Sequence, residues 1–127
     1  MQILVDTSTW IDYFKSGIKS NDLDTLIDEN LIATNDIILT ELLPFLKIKK
    51  QNKVIRLLND VVKLPLQIDW NEIVQFQVKC LKSGINGIGI PDLIIVQNSK
   101  QNNSPIYSLD KHFILLQKII GVRIYQL

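Results

Sequence analysis

The chain has 127 residues, of which 46% are hydrophobic and 21% charged, a balance that fits one compact domain and excludes a disordered polymer. Fourteen Lys+Arg stand against thirteen Asp+Glu, so a net charge of +1 supplies no global field for a polyanion, and any nucleic-acid contact needs a local patch. A single cysteine, Cys80, excludes an internal disulfide and a cysteine-based zinc site, and no apolar run reaches the ~18 residues of a membrane span.

Met1 to Asp6 lacks the basic start of a signal peptide, so the expected location is the cytoplasm, with no membrane contact. Ile3-Leu4-Val5 is wholly apolar and ends at Asp6, the pattern of a strand covered on both faces and hence of a parallel sheet. Thr7, Ser8 and Thr9 are candidate caps for a short helix whose apolar side is Trp10, Ile11, Tyr13 and Phe14. Asp12 stands three residues after Thr9, at capping-box spacing. Leu23, Leu26 and Ile27 predict a helix over 22–29, and 31–34 predicts a second strand. Asn35 or Asp36 then caps a helix from Ile37 to about Lys47, which Pro44 should kink or end early.

Another helix is expected over 52–62, followed by a brief strand within 64–68 that Pro65 confines to a sheet edge. Trp70, Ile73, Val74, Val78 and Leu81 recur at helical spacing and predict the clearest amphipathic helix of the chain, closed by Ser83-Gly84. Pro91 opens a helix to about Gln101. A strand over 104–108, a helix over 110–118 and a closing strand over 122–125 complete the order. Strands alternating with helices, with no repeat or linker, predict one α/β domain over residues 1–127. The expected architecture is a three-layer α/β/α sandwich around a mainly parallel sheet. Ligands of such sheets gather at the carboxyl ends of the strands.

That rule singles out acids. Asp6 closes the first strand, Asp110 follows the 104–108 strand, and Asp92 opens a helix after Pro91. Each alone is an ordinary cap or turn residue. Glu41 is different, because Ile38, Glu41, Leu42 and Phe45 stand at i, i+3, i+4 and i+7, which places the carboxylate in an apolar stripe. A buried carboxylate meets a cation or takes up a proton; the plain alternative is a boundary position that reaches solvent. Acids gathered into one pocket repel and call for a cation. Oxygen donors without cysteine, and with one late histidine, favour Mg²⁺ or Mn²⁺ over zinc. Mg²⁺ commonly bridges carboxylates to phosphate oxygens, so metal-assisted phosphodiester hydrolysis is the chemistry that follows.

Asp6-Thr7-Ser8-Thr9-Trp10-Ile11-Asp12, Thr40-Glu41-Leu42, Pro91-Asp92-Leu93-Ile94-Ile95 and Ser108-Leu109-Asp110-Lys111-His112-Phe113 resemble the four acidic motifs of PIN-domain ribonucleases. Their order and the chain's size are most similar to the VapC toxins of bacterial and archaeal toxin–antitoxin pairs. The resemblance implies Mg²⁺- or Mn²⁺-dependent endonucleolytic cleavage of RNA. It makes Asp6, Glu41, Asp92 and Asp110 the metal-holding catalytic acids, with Ser108 supporting them by hydrogen bonds. It also implies a homodimer and inhibition by a cognate antitoxin whose chain covers the acidic pocket.

Other features admit two readings. Asp12 is better taken as a helix-start residue, and so is His112, since a metal-bound water needs no imidazole. Lys47, Lys49, Lys50, Lys53 and Arg56 form the only dense basic run, which either steers an RNA backbone or is a solvated helix connection. Trp10, Tyr13 and Phe14 serve either an antitoxin groove or the core. Gly87 and Gly89 make no phosphate loop, because no lysine follows in that arrangement. A receiver-type signalling domain would need paired acids after the first strand, and Asp6 has no acidic neighbour. A catalytically silent PIN-like module that binds RNA or protein is the other alternative, against which the four retained acids argue.

Overall fold

The computed structural model describes residues 1–126. Its sheet is built around β1 (Ile3–Val5), whose three residues are all buried, as a strand with neighbours on both edges and helices on its faces must be. Along the chain follow α1 (Thr7–Lys15), α2 (Leu23–Asp28), β2 (Ile32–Thr34), α3 (Asp36–Ile48), α4 (Asn52–Asp60) and β3 (Val62–Lys63). The order ends with α5 (Trp70–Lys82), α6 (Ile90–Asn102), β4 (Ile106–Tyr107) and α7 (Lys111–Ile120). The strands lie in the order β3-β2-β1-β4 and every pair is parallel, with Leu4 facing Ala33 on one side and Ile106 on the other. Parallel strands require helical crossovers, and the result is the expected α/β sandwich. Because β1 and β4 run the same way, Asp6 and Ser108 emerge at one edge of the sheet.

Several local expectations are corrected. α3 runs unbroken past Pro44 to Ile48. Pro44 and Thr40, whose carbonyl loses its helical partner, are both exposed, so the lost bond falls on the solvent side of the helix rather than in the core. The edge strand is 62–63 rather than 64–68: Leu64 N–H still donates to Thr34 O at 2.8 Å, and Pro65 then has no N–H to continue the ladder. The closing strand shrinks to a single parallel bridge between Ile106 and Ile124. Asp6 itself, rather than Thr7, Ser8 or Thr9, is the N-cap of α1. Thr9 is buried and donates to Tyr107 O at 3.0 Å, tying α1 to β4. Asp12 closes no capping box; it accepts from Lys19 N–H and the Ser20 hydroxyl and so organises the loop after α1.

α5 forms where its periodicity predicts, but its apolar residues divide between two faces. Ile73, Phe76 and Cys80 pack into the core, whereas Trp70, Val74, Val78 and Leu81 are 60%, 60%, 43% and 59% exposed. The helix carries two apolar stripes, and the one with the strongest periodicity faces outward beside Ile90. Trp10 belongs to the core and stacks on Phe14, which reaches a surface groove with Phe45, Leu46 and Val54. No helix among the described residues is long and apolar enough to cross a membrane.

Buried amides fix the helices to one another. Asn35 caps α3 by accepting Ile38 N–H at 2.9 Å and donates to Asn98 Oδ1 at 3.0 Å on α6. Asn98 in turn donates to Pro65 O at 3.1 Å. Replacing one partner strands the others away from water, at about 1–3 kcal/mol for each group left unsatisfied. Asn98→Ala is therefore expected to lower the denaturant midpoint by an amount corresponding to about 2 kcal/mol or more, and an unchanged midpoint would show that the network does not carry the junction of α3 and α6.

Candidate metal centre

Asp6 enters the site from the end of β1 and is only 5% exposed. Its Oδ2 accepts two hydroxyls, from Ser108 at 2.9 Å and Ser8 at 3.0 Å. Each serine is itself aimed by a backbone donor: Leu109 N–H donates to Ser8 Oγ and Asp110 N–H to Ser108 Oγ, both at 3.0 Å. A hydroxyl has one proton. With that proton on Asp6, the 3.1 Å approach of the two serine oxygens is a by-product of their shared target. Burial pushes the Asp6 carboxyl up from its ordinary range, and these hydroxyl bonds draw it back down.

Asp110 is the N-cap of α7, its Oδ1 accepting His112 N–H at 2.9 Å. The same oxygen lies 3.4 Å from His112 Nδ1. Asp92, in the first turn of α6, faces both: Asp92, Asp110 and His112 each offer a donor atom, all within 4.8 Å of one another. Asp92 is the most perturbed acid of the group, pushed up to about 6 first by burial and then by the negative charges of Asp6, Asp110 and Glu41.

Glu41 is exposed, so of the two readings of its spacing the boundary position that reaches solvent is the one found. The inward line of α3 is Ile38, Leu42 and Leu46; Glu41 and Phe45 lie on its outer flank. The carboxylate nevertheless joins the site, accepting the Thr7 hydroxyl at 3.2 Å. It is raised by the shelter of its carboxyl end, offset by Thr7 and reinforced by the charge of Asp6. Asp6, Asp110 and Glu41 each bear on Asp92, and Ser108 stands where it supports Asp6. Ser8, Thr7 and His112 are additions. Ser8, two residues after Asp6, mirrors Ser108, two residues before Asp110, a symmetry visible in the sequence but masked by the capping role such residues usually play.

Among the described residues the ion pairs are Lys63–Asp36 and His112–Asp110, so no Lys or Arg pairs with any of the four acids. At metal-ligand spacing the structure brings together Asp92, Asp110 and His112, and the charges of Asp6 and Glu41 bear on Asp92 from outside that group. Oxygen donors of this kind suit a hard divalent cation.

The PIN domain family model matches residues 3–119. No curated protein matches the sequence. Among solved structures, VapBC2 from Rickettsia felis, bound to a DNA fragment from their promoter, is similar at a TM-score of 0.77 and 19% identity, covering 98% of both chains. DNA-bound VapBC from Salmonella typhimurium is similar at 0.77 and 16% identity, covering 98% of this chain and 97% of that one. VapBC-1 from nontypeable Haemophilus influenzae follows at 0.70 and 18%, covering 99% and 98%.

A carboxyl raised in the folded state binds its proton more readily there than in the unfolded chain. Its stabilising effect is present at low pH and is lost as pH rises through the folded value, for Asp92 about 6. The metal-free protein should therefore melt at a higher temperature at pH 5 than at pH 7. Asp92→Asn should raise the melting temperature at pH 7 and flatten that dependence. Differential scanning calorimetry in EDTA checks both, and a less stable variant at pH 7 would contradict the repulsion.

Proposed function

The chain belongs to the PIN domain family, and we propose that it is a divalent-metal-dependent endoribonuclease that hydrolyses RNA phosphodiester bonds as the toxin of a toxin–antitoxin pair. The observation that carries this reading is the approach of Asp92 and Asp110 to within metal-ligand spacing, with the charges of Asp6 and Glu41 bearing on Asp92 and no Lys or Arg paired to any of the four acids. Asp6, Glu41, Asp92 and Asp110 hold Mg²⁺ or Mn²⁺. A bound divalent ion lowers the pKa of water and stabilises negative charge developing on a phosphate. Ser8 and Ser108 orient Asp6 and favour its ionised form against burial, and Thr7 does the same for Glu41 across the gap between α1 and α3. RNA as the substrate rests on the resemblance of the four motifs to those of PIN-domain ribonucleases. With an overall charge of only +1, the protein draws the phosphate mainly through the metal.

Residues 1–127 act as one nuclease domain, working in the cytoplasm. The groove formed by Phe14, Phe45, Leu46 and Val54, with Lys15 and Lys49 at its margins, suits an antitoxin segment that is apolar on one side and acidic on the other. The VapBC complexes of similar fold support a protein partner, without saying which surface it takes. The exposed face of α5, Trp70, Val74, Val78 and Leu81 together with Ile90, is the surface on which two copies would pair.

Asp6→Asn and Asp92→Asn are each expected to reduce cleavage of total RNA by at least about 100-fold, the scale of a lost catalytic electrostatic group. EDTA should abolish cleavage by the unmodified protein. Full activity in either variant, or in EDTA, would defeat the assignment. Val78→Glu should convert a dimer into a monomer in light scattering, and a native protein that is monomeric at micromolar concentration would remove α5 as the pairing face.

A further inference from the structure

The nitrogen donor in the site is left idle by the four-acid reading. His112 sits at the second position of α7, two residues beyond the N-cap Asp110, and this placement turns its imidazole back towards the acids. Nδ1 stands 3.4 Å from Asp110 Oδ1, longer than an ordinary N–H···O hydrogen bond. The side chain is 46% exposed, so burial does not hold it there. Asp92, Asp110 and His112 offer one donor atom each within 4.8 Å. An ion with bonds of ~2.1 Å spans ligands up to ~4.2 Å apart, so small side-chain rotations would close the three donors around it.

We propose that His112 is a direct metal ligand alongside Asp92 and Asp110, and that its imidazole makes this centre take Mn²⁺ in preference to Mg²⁺. The inference rests on the metal-centre reading above and deepens it. Mg²⁺ binds oxygen, holds its waters and gains little from an imidazole, whereas first-row transition ions accept nitrogen readily. Purely carboxylate arms would leave the two ions to compete on size and charge alone. An imidazole in the Asp92–Asp110 arm adds a bond that only one of them uses well.

The sequence makes the test clean. His112 is the only histidine in the chain, so an imidazole nitrogen seen at a bound ion in untagged protein can come from nowhere else within one molecule. Mn²⁺ is added to the untagged protein, binding is followed by calorimetry, and the bound ion is examined by pulsed electron paramagnetic resonance for ¹⁴N coupling. The expected result is a directly ligated imidazole nitrogen that disappears in His112→Ala. That variant should lose Mn²⁺ affinity by about tenfold or more, on the scale of disturbed metal-site contacts, while Mg²⁺ affinity changes far less. Mn²⁺ bound with no ¹⁴N coupling in the unmodified protein would overturn the role of His112 and leave the four-acid centre standing. Equal losses of Mn²⁺ and Mg²⁺ affinity in His112→Ala would overturn the preference. Absence of any binding of either ion at millimolar concentration would overturn the metal centre itself, and this inference with it.

Discussion

Asp6, Asp110 and Glu41 press their negative charge on Asp92 with no Lys or Arg paired to any of the four, and the surrounding structure has to hold that repulsion. Asp92 feels it most, because Asp6, Asp110 and Glu41 all bear on it while burial removes the water that would screen them. A fold seeking only stability would place a lysine or an amide there. On the proposed function the compensation comes from solution, since a divalent ion that binds only the folded state would recover the stability the acids forfeit.

The scaffold answers the repulsion with rigidity. β1 and β4 pair in parallel, so Asp6 and the Ser108–Asp110 turn leave the sheet side by side. The two serines, each held by a backbone N–H, deliver both protons to the same Asp6 oxygen. α6, which presents Asp92, buries Gln97, Asn98 and Ser99 and uses them as hydrogen-bonding pins: Gln97 to the start of α5, Asn98 to Asn35 and Pro65, Ser99 to Ser104. Those amides explain why α6 shows no single apolar face. Buried without a break from Leu93 to Ser99, it satisfies its polar groups internally instead of turning them outward.

Two helices show how far one-dimensional periodicity reaches. In α3 the spacing of Ile38, Glu41, Leu42 and Phe45 is helical, yet the residues sheltered from water are Ile38, Leu42 and Leu46, and the carboxylate sits at the rim within reach of Thr7. In α5 the strongest apolar spacing lies on the outside, while Ile73, Phe76 and Cys80 make the core contacts. A periodic pattern states that a helix has an apolar face; it does not state what that face meets. A helix with apolar residues on two faces can bury only one of them against its own core.

The amino-acid order by itself determined the alternation of strand and helix, the parallel sheet, the placing of Asp6 and Asp110 after strands, and the resemblance of four acidic motifs to one family. These are local patterns: apolar runs, caps and spacings along the chain. Only the tertiary structure decided that Ser8 and Ser108 converge on one oxygen across about a hundred residues, that Glu41 is exposed rather than buried, and that His112 turns towards Asp110. Those facts depend on which strand lies beside which and on how each helix is rotated about its axis, and both are settled by packing among residues distant in the chain.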